Sequence, residues 1–395
     1  MRLLQSELRH DNNTPSSLPR RKFLKSVLAA TAASPLTSAA LDRVAMAAGP
    51  GSSASVENSS ARPIMALYQS LSAEQRAQMC FDWDFRVNIL YGRKPLWHPD
   101  PKGIELRTHV SNAWHITPQL LGSSFYTDEQ RQLVLDVMRS VVTNEWVDKL
   151  QKQGSDDSGK PWGGDQAVAI FGMPGSDRCQ CVVSGFHLTV RATTEPQPIS
   201  AFGGPITHGH QPSGFYEKFG HPGNIFWNQA LRANEVYKLL DGPQQQQALQ
   251  TKNLPLYQNA GGIDRTTITP EVPWDEPRRE SDIRFRRPGT QSPGIAVKEM
   301  GTEQRRALDA TLASLVEPYR PSYQNQVFDA LQKQGGLEQC SLAFYQERDL
   351  GGDQVWDNWR LEGPSLVWFF RGSPHVHIWI HAASDRSAPM TSYFG

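Results

Sequence analysis

Apolar residues recur at helical spacing in three segments of the chain. Two of these segments open with a hydroxyl side chain and a glutamine at the third helical position, Ser72 with Gln75 and Thr127 with Gln130. This pattern is a capping box, in which the two side chains satisfy the first free N–H groups of a helix. The second box leads into an apolar stripe: Leu133, Val134, Val137, Met138, Val141 and Val142. A third amphipathic helix is predicted at 302–317.

The period changes in two other regions of the chain. An apolar run at 167–171 predicts a strand, a turn follows at 173–177, and 179–194 predicts a second strand that contains a glycine. Four more strands, separated by glycine-containing turns, are predicted near the C-terminus: 341–346, 356–361, 365–370 and 375–382.

Helices and strands therefore occupy different parts of the chain. Residues 60–150 are interpreted as mostly helical, whereas strands concentrate in 166–199 and 341–382. Such segregation favours an α+β fold, with capped amphipathic helices packed against a largely antiparallel β-sheet. The Gly- and Pro-rich segment 201–223 predicts a loop, and 253–291 predicts a long surface loop or insertion.

The N-terminal residues have the order of an export signal. Basic residues are followed by a short apolar run at 26–33 and by small residues suited to cleavage at 45–47. The basic part is similar to the twin-arginine signature. That signature comprises Arg20, Arg21, Phe23, Leu24 and Lys25. A basic N-terminal tail on a cytoplasmic protein is the alternative interpretation.

This signal predicts how the chain is organised. Residues 1–47 are interpreted as a signal peptide, 48–62 as a flexible lead and 63–395 as a single large domain. The mature protein is then periplasmic or secreted, and its partner during export is the twin-arginine machinery. No later segment reaches the ~20 apolar residues that span a bilayer, so the mature form is expected to have no membrane span. Substrates of this pathway fold before export, which favours a bound metal or organic cofactor.

Charge and cysteine content narrow the class of protein. Residues 1–47 contain seven Lys/Arg and three Asp/Glu, which leaves 33 basic and 37 acidic residues, a formal charge of about −4. This balance argues against a nucleic-acid partner, which needs a clustered positive surface. Four cysteines are too few for a disulfide scaffold, and a chain that folds in a reducing compartment is expected to keep them as free thiols.

The segment 374–381 carries the strongest chemical signal. In a strand, His375, His377 and His381 would share one face, and the first two could ligate one metal ion together. Such a site needs a third ligand from a neighbouring strand, and an open position if it is catalytic. Two partly buried histidines that bond to the backbone are the alternative interpretation of this His-x-His pair.

His187 is the best candidate for the third ligand. Cys179 and Cys181 share its parity, so an unbroken strand would place all three on one face, although a bulge near 184–185 would undo this. Thiolates would favour zinc or copper, whereas histidines alone suit zinc, copper or iron. The two cysteines could equally be small core residues. His208 and His210, in the predicted loop, are candidates for the rim of the site or for additional ligands.

Several motifs resemble the bacterial proteins grouped as domain of unknown function 3500. They lie at 170–174, 185–188, 202–205, 359–364 and 375–377, and together they span most of the mature chain. The resemblance implies a common fold unit and no mechanism. The family often has a second histidine where this chain has Phe186, and an acidic residue near the position of Trp368 and Phe369. These departures predict a changed or lost activity if that carboxylate is catalytic.

The leading hypothesis is an exported metalloprotein with His187, His375 and His377 as ligands of one zinc, copper or iron ion. A metal-dependent hydrolase and an oxidoreductase fit these ligands equally well. The alternative is a non-catalytic extracytoplasmic domain that binds an unidentified ligand, such as a carbohydrate or peptide, in an aromatic cleft. The tryptophans that suggest such a cleft are Trp356, Trp359, Trp368 and Trp379.

Overall fold

The computed structural model describes the chain at 60–91, 96–97, 102–211, 225–251, 283–286, 288–347, 349, 355–372 and 375–392. These residues all fall within the unit Val56–Gly395. The predicted signal peptide, most of the predicted lead and most of the predicted loop at 253–291 lie outside the described residues.

Helices in the described part of the chain number eight. They are α1 (Ala61–Ser70), α2 (Ala73–Met79), α3 (Asp128–Val141), α4 (Asn144–Ser158), α5 (Trp227–Leu239), α6 (Gly242–Ala248), α7 (Thr302–Val316) and α8 (Pro321–Lys333). Both predicted capping boxes are confirmed, because Ser72 and Thr127 each accept from the backbone of the glutamine three residues on. At α7 the cap is Gly301, whose N–H donates to Oε1 of Gln304 over 2.7 Å.

The strands are numbered in chain order. The first ten are β1 (Cys80–Phe81), β2 (Arg86–Val87), β3 (Ile89–Leu90), β4 (Leu96–Trp97), β5 (Ile104–Glu105), β6 (His109–Val110), β7 (Gln166–Gly172), β8 (Cys179–Gly185), β9 (Leu188–Thr193) and β10 (Ile206–His210). The others are β11 (Leu249–Gln250), β12 (Ile295–Ala296), β13 (Ser341–Tyr345), β14 (Asn358–Gly363), β15 (Leu366–Arg371), β16 (Val376–Ala382) and β17 (Thr391–Ser392).

Eleven of these strands, within the described residues, form one sheet. Its order is β1-β7-β8-β9-β10-β16-β15-β14-β13-β11, and β12 also pairs with β13. The pairs β1–β7 and β11–β13 are parallel, whereas the long central strands are antiparallel. The predicted α+β class with a largely antiparallel sheet is therefore confirmed.

The two faces of the sheet have different coverings. One face, called the helical face, packs its alternate side chains against apolar residues of the helices; Val134, Val147 and Leu312 are examples. The other face, called the loop-covered face, packs against irregular segments. Two smaller clusters lie there, one built with Trp114 and one with Phe285. The loop-covered face also carries most of the buried polar residues of the central strands.

Three sequence predictions are wrong in detail. Segment 179–194 forms two strands, β8 and β9, because the chain reverses tightly after Gly185. The predicted loop 201–223 contains a strand, β10, which pairs with β9 on one side and with β16 on the other. The described residues of 80–126 form no α-helix beyond α2: they form short strands, turns and one 3₁₀ turn at Leu106–Thr108, and several of them pack on the sheet.

Candidate metal centre

Three histidines converge at one end of the sheet. His375 and His377 lie at the start of β16, and because they are two residues apart their side chains share the loop-covered face. His187 lies in the turn between β8 and β9. The Nε2 atom of His377 is 2.9 Å from Nε2 of His187 and 2.8 Å from Nε2 of His375. One nitrogen from each imidazole lies within 4.8 Å of the others, which is compatible with a three-histidine metal site.

The turn places His187 with some strain. Phe186 and His187 form a two-residue loop that closes the pair Gly185 and Leu188. The φ of His187 is +58°, in the left-handed region, which costs a non-glycine residue about 1–2 kcal/mol. Its N–H donates to the carbonyl of Asn112 over 2.6 Å, and its ring stacks on Phe186 with centroids 3.8 Å apart. Strain held by several contacts is typical of functional positions.

Gly209 makes room for the His187 ring. Gly209 is the cross-strand partner of His377 on β10, so a side chain there would project on the same face. A Cβ atom at this position would lie 3.0 Å from Cγ of His187 and 2.4 Å from the carbonyl oxygen of Val376. The imidazole of His187 therefore occupies the space that any other residue at 209 would fill.

Asp157 orients His187 from the last turn of α4. Its Oδ2 accepts from Nδ1 of His187 over 2.7 Å and from Nε2 of Gln153 over 2.7 Å. Its Oδ1 accepts from the N–H of Gln211 over 2.7 Å. Burial raises the pKa of Asp157 to about 6, and the donated hydrogen bonds oppose this rise, so the carboxylate is ionised at neutral pH. A carboxylate behind a ligating histidine is the usual outer partner in metal sites.

The hydrogen-bonding pattern leaves lone pairs facing one another. Because Nδ1 of His187 donates to Asp157, its Nε2 carries a lone pair. The Nε2 atom of His377 lies beside the Nε2 atoms of His187 and His375, and it can donate to one of these two at most. A metal ion between the rings would accept lone pairs from all three. Tetrahedral bonds of about 2.0–2.1 Å place ligand nitrogens about 3.3 Å apart, so the rings would need to separate by about half an ångström.

Burial keeps two of the ligands neutral. It lowers the pKa of His375 to about 2 and that of His377 well below its ordinary value, and the positive charge of Arg371 lowers both further. Neutral imidazole is the form that binds metal. Arg371 is the cross-strand partner of His377 on β15 and is almost fully buried, so a positive charge lies beside the candidate centre.

Asn112 completes the surroundings of the centre. Its Nδ2 lies 3.2 Å from both ring nitrogens of His377, while its carbonyl receives the N–H of His187. One residue of a covering segment thus contacts two of the three histidines and fixes their relative position.

The other predicted ligands lie elsewhere. Cys179 and Cys181 are buried in the apolar core of the helical face, and no disulfide joins the four described cysteines. His381 shares the face of His377, but its Nδ1 lies 3.3 Å from the carbonyl of Ile283.

The histidines of β10 are on the helical side of the sheet. His208 is bonded to the hydroxyl of Tyr319, with Nε2 2.6 Å from the oxygen, and is buried rather than at a rim. His210 is also buried, with Nε2 3.4 Å from Oδ2 of Asp156 and 3.9 Å from Oδ1 of Asp157.

Four residues of the centre were not identified from the sequence: Asn112, Asp157, Gly209 and Arg371. Asp157 had a usable signal, because two acidic residues at 156–157 end a helix whose C-terminal dipole disfavours them. A local rule broken in this way is typical of a functional position. The other three are ordinary in their sequence context, and their contribution depends on strand register and on a distant covering segment.

Comparison with known proteins gives one match. No curated protein and no solved structure matches the chain. A family profile, described as "Protein of unknown function (DUF3500)", matches residues 53–384, which is most of the chain and includes all three histidines of the centre. The chain therefore belongs to the DUF3500 family, as its motifs suggested.

Proposed function

We propose that this protein binds one transition-metal ion through His187, His375 and His377. The observation that carries the proposal is the convergence of three Nε2 atoms, of which that of His377 is within 2.9 Å of the other two. The neutral imidazoles of His375 and His377, together with that of His187 backed by a carboxylate, have the chemistry of a ligand set.

The ligand set favours zinc or copper over iron. All three ligands are imidazoles, whereas the common mononuclear iron site combines two histidines with a carboxylate. Asp157, the carboxylate nearest to His187 in the described part of the chain, already bonds to the outer nitrogen of that ring. We therefore place copper and zinc ahead of iron among the candidates.

We further propose that the centre is catalytic and hydrolytic. Three protein ligands leave a fourth position for water or substrate, as in catalytic zinc sites. Zinc in such a site lowers the pKa of its bound water to about 7. Neutral ligands leave the full charge on the ion, and Arg371 adds a second positive charge, so anionic groups are stabilised here. Redox chemistry at copper is the second candidate, because copper binds nitrogen ligands most tightly.

Metal analysis of the purified mature protein tests this function. Cells are grown with zinc, copper and iron all supplied, and the metal content is measured by mass spectrometry. About one ion per chain is expected, and its identity separates the two reaction classes, because bound Cu(II) gives an electron paramagnetic resonance signal and zinc gives none. Protein that takes up none of the three metals, even after incubation with each, would refute the proposal.

Export by the twin-arginine pathway forms a further part of the proposal. Its support is the paired Arg20-Arg21 before the short apolar run, which lies outside the described residues. In the part of the chain that the structure describes, no helix is both long and apolar enough to cross a bilayer. Replacing both arginines by lysine should abolish export and leave folding intact, as measured by fractionation and circular dichroism. Normal periplasmic levels of the double variant would contradict the assignment.

The alternative function, a non-catalytic domain that binds a ligand in a tryptophan-lined cleft, is not supported by the positions of these tryptophans. Of the four tryptophans that suggested it, Trp359, Trp368 and Trp379 are at most 1% exposed and pack within the sheet. Trp356 is half-buried against the core of the helical face, so the four do not line one aromatic cleft. A ligand-binding surface has to be sought elsewhere in the fold.

A further inference from the structure

The β8–β9 hairpin has a second end, opposite the turn that carries His187. Arg178 precedes β8 and Glu195 lies two residues after β9, so both lie at this far end. A cavity of about 240 Å³ opens there. The seven residues of β8 separate it from the metal centre by roughly 20 Å, given a rise of about 3.4 Å per residue. Nothing in the proposed metal chemistry uses this cavity.

Three side chains of the cavity wall can form further hydrogen bonds with a ligand. Within the described residues, Arg178 and Glu195 form their hydrogen bonds through backbone N–H groups. The guanidinium of Arg178 lies over the Trp83 ring, 5.4 Å from its centroid, so its N–H groups and the carboxylate of Glu195 can still bond to a ligand. Ser200 is 2% exposed, and its hydroxyl has no partner among the described residues. A buried hydroxyl without a partner costs about 1–3 kcal/mol, so a ligand that bonds to it would recover this cost.

The wall is held rigidly before any ligand arrives. Arg107 lies over the Trp83 ring, 4.0 Å from the centroid, and its Nη2 donates to Oε1 of Glu105 over 2.8 Å. Two side chains donate to the carbonyl of Gly203: Arg107 over 3.3 Å and Gln180 over 3.1 Å. Because these groups are fixed already, binding loses little conformational entropy.

Two glycine motifs build this end of the hairpin. Phe202 has a φ of +62°, which strains a non-glycine residue, whereas Gly203 and Gly204 adopt positive φ without that cost. Gly203 itself lines the cavity. At Gly172, a Cβ would lie 2.0 Å from the carbonyl oxygen of Arg178 and 3.2 Å from the Trp83 ring. The motifs at 170–174 and 202–205 therefore converge on the cavity, although they have no role in the metal centre.

We propose that this cavity binds a neutral sugar ring. A sugar hydroxyl both donates and accepts, so it suits a wall that combines the carboxylate of Glu195, the guanidinium of Arg178 and the hydroxyl of Ser200. The carbon-bound hydrogens of the ring need an apolar surface. The 41%-exposed Ile199 and the exposed Pro389 offer one at the same cavity, whereas the ring of Trp83 already lies under Arg107.

The charges of the wall disfavour an ionic ligand. Its acidic residues are Asp84, Glu105 and Glu195, and its basic residues are Arg107 and Arg178. These nearly balance, and Arg107 is already paired with Glu105 over 2.8 Å. An anion or a cation would each meet like charges a few ångströms away, which costs free energy that a neutral ligand avoids.

Ligand-detected NMR on the intact mature protein tests the proposal. The probes are glucose, galactose, mannose and N-acetylglucosamine, each at about 10 mM, a concentration that detects millimolar affinities. At least one sugar should show saturation transfer, and Glu195→Gln and Ser200→Ala should each weaken its binding about tenfold, the effect of one lost hydrogen bond. Glu303→Gln, at an exposed position on α7, should bind as the unaltered protein does.

Three results would overturn the sugar assignment. The first is the absence of saturation transfer from all four sugars to folded protein. The second is equal binding by Glu195→Gln and Ser200→Ala. The third is a preference for glucuronate or glycine over the neutral sugars, which would mean that the cavity takes ions. Because the readout is sugar binding, a metal-free protein would leave this test unaffected.

Discussion

The chain carries two His-x-His motifs on neighbouring antiparallel strands, and the motifs face opposite sides of the sheet. His208 and His210 lie on β10, whereas His377 lies on β16 and His375 directly precedes that strand. In the register of these strands, His377 is opposite Gly209, the residue between the other two histidines. Since side chains alternate along a strand, this offset of one residue sends the two pairs to different faces.

The two faces give the same motif different chemistry. On the helical face, His208 is bonded to Tyr319 and surrounded by apolar core, and burial lowers its pKa to about 4. On the loop-covered face, His377 meets two other imidazoles. The comparison shows that a His-x-His pair can bind a metal ion only where a third ligating side chain can reach the same point. Gly209 allows this here, because it leaves space for His187.

The largest expected effect comes from removing one ligand. His377→Ala leaves two imidazoles, and we expect it to lose most of the bound metal, since the loss takes several kcal/mol from a binding free energy of about 10–16 kcal/mol. His381→Ala is the matched control, because it removes another buried histidine of the same strand and face. The metal content of both variants is measured, and only His377→Ala is expected to lose metal. Equal metal loss in the two would show that stability, rather than ligation, is affected.

Filling the space at Gly209 should have nearly as large an effect. A Cβ 3.0 Å from the ring of His187 and 2.4 Å from a carbonyl cannot be accommodated without movement. We expect Gly209→Ala to weaken metal binding by about 100-fold and to lower the free energy of unfolding by about 1–3 kcal/mol. Gly242→Ala is the control, since a Cβ there meets nothing within 4 Å. Metal titration and urea unfolding measure both effects, and unchanged affinity in Gly209→Ala would contradict the proposed geometry.

A smaller effect is expected for the carboxylate behind His187. Asp157→Asn removes the charge that favours the Nδ1–H tautomer, and the loss of such a partner typically costs 10- to 100-fold in metal affinity. Asp148→Asn, on an exposed turn of the same helix, should leave the affinity unchanged. Competition titration with a chelator of known affinity measures both variants. If they bind equally well, Asp157 has no part in the centre.

The smallest effect is expected for His208, which we interpret as a structural histidine rather than a metal ligand. His208→Phe should keep its metal and lower the free energy of unfolding by about 1–3 kcal/mol at pH 7, because the hydroxyl of Tyr319 loses its buried partner. The pKa of His208 is lowered on folding, from 6.5 to about 4, so its protonation destabilises the folded state as the pH falls below 6.5. The difference in the free energy of unfolding between the unaltered protein and His208→Phe should therefore become smaller by about 2 kcal/mol between pH 7 and pH 5. If this difference is the same at both pH values, folding does not lower the pKa of His208.

Local patterns were sufficient for much of the fold. Two capping boxes and an apolar stripe at helical spacing predicted α2 and α3, and the C-terminal strands were placed within two residues. These features depend on neighbours in the sequence, so the sequence alone contains them. The candidate ligands His187, His375 and His377 were chosen for the same reason, because two of them alternate in one predicted strand.

Tertiary structure decided how the histidines are used. The sequence placed His187 in one long strand with Cys179, whereas the hairpin turn carries it to the other face, away from the cysteines. It also placed His208 in a loop, whereas β10 lies in the middle of the sheet. By itself, the sequence determined which residues could ligate a metal and which segments are helix or strand, since both follow from residue type and short-range period. Only the tertiary structure decided which histidines meet, because the register of β10 and β16 pairs residues more than a hundred positions apart, and the space beside Gly209 matters only once that register is set.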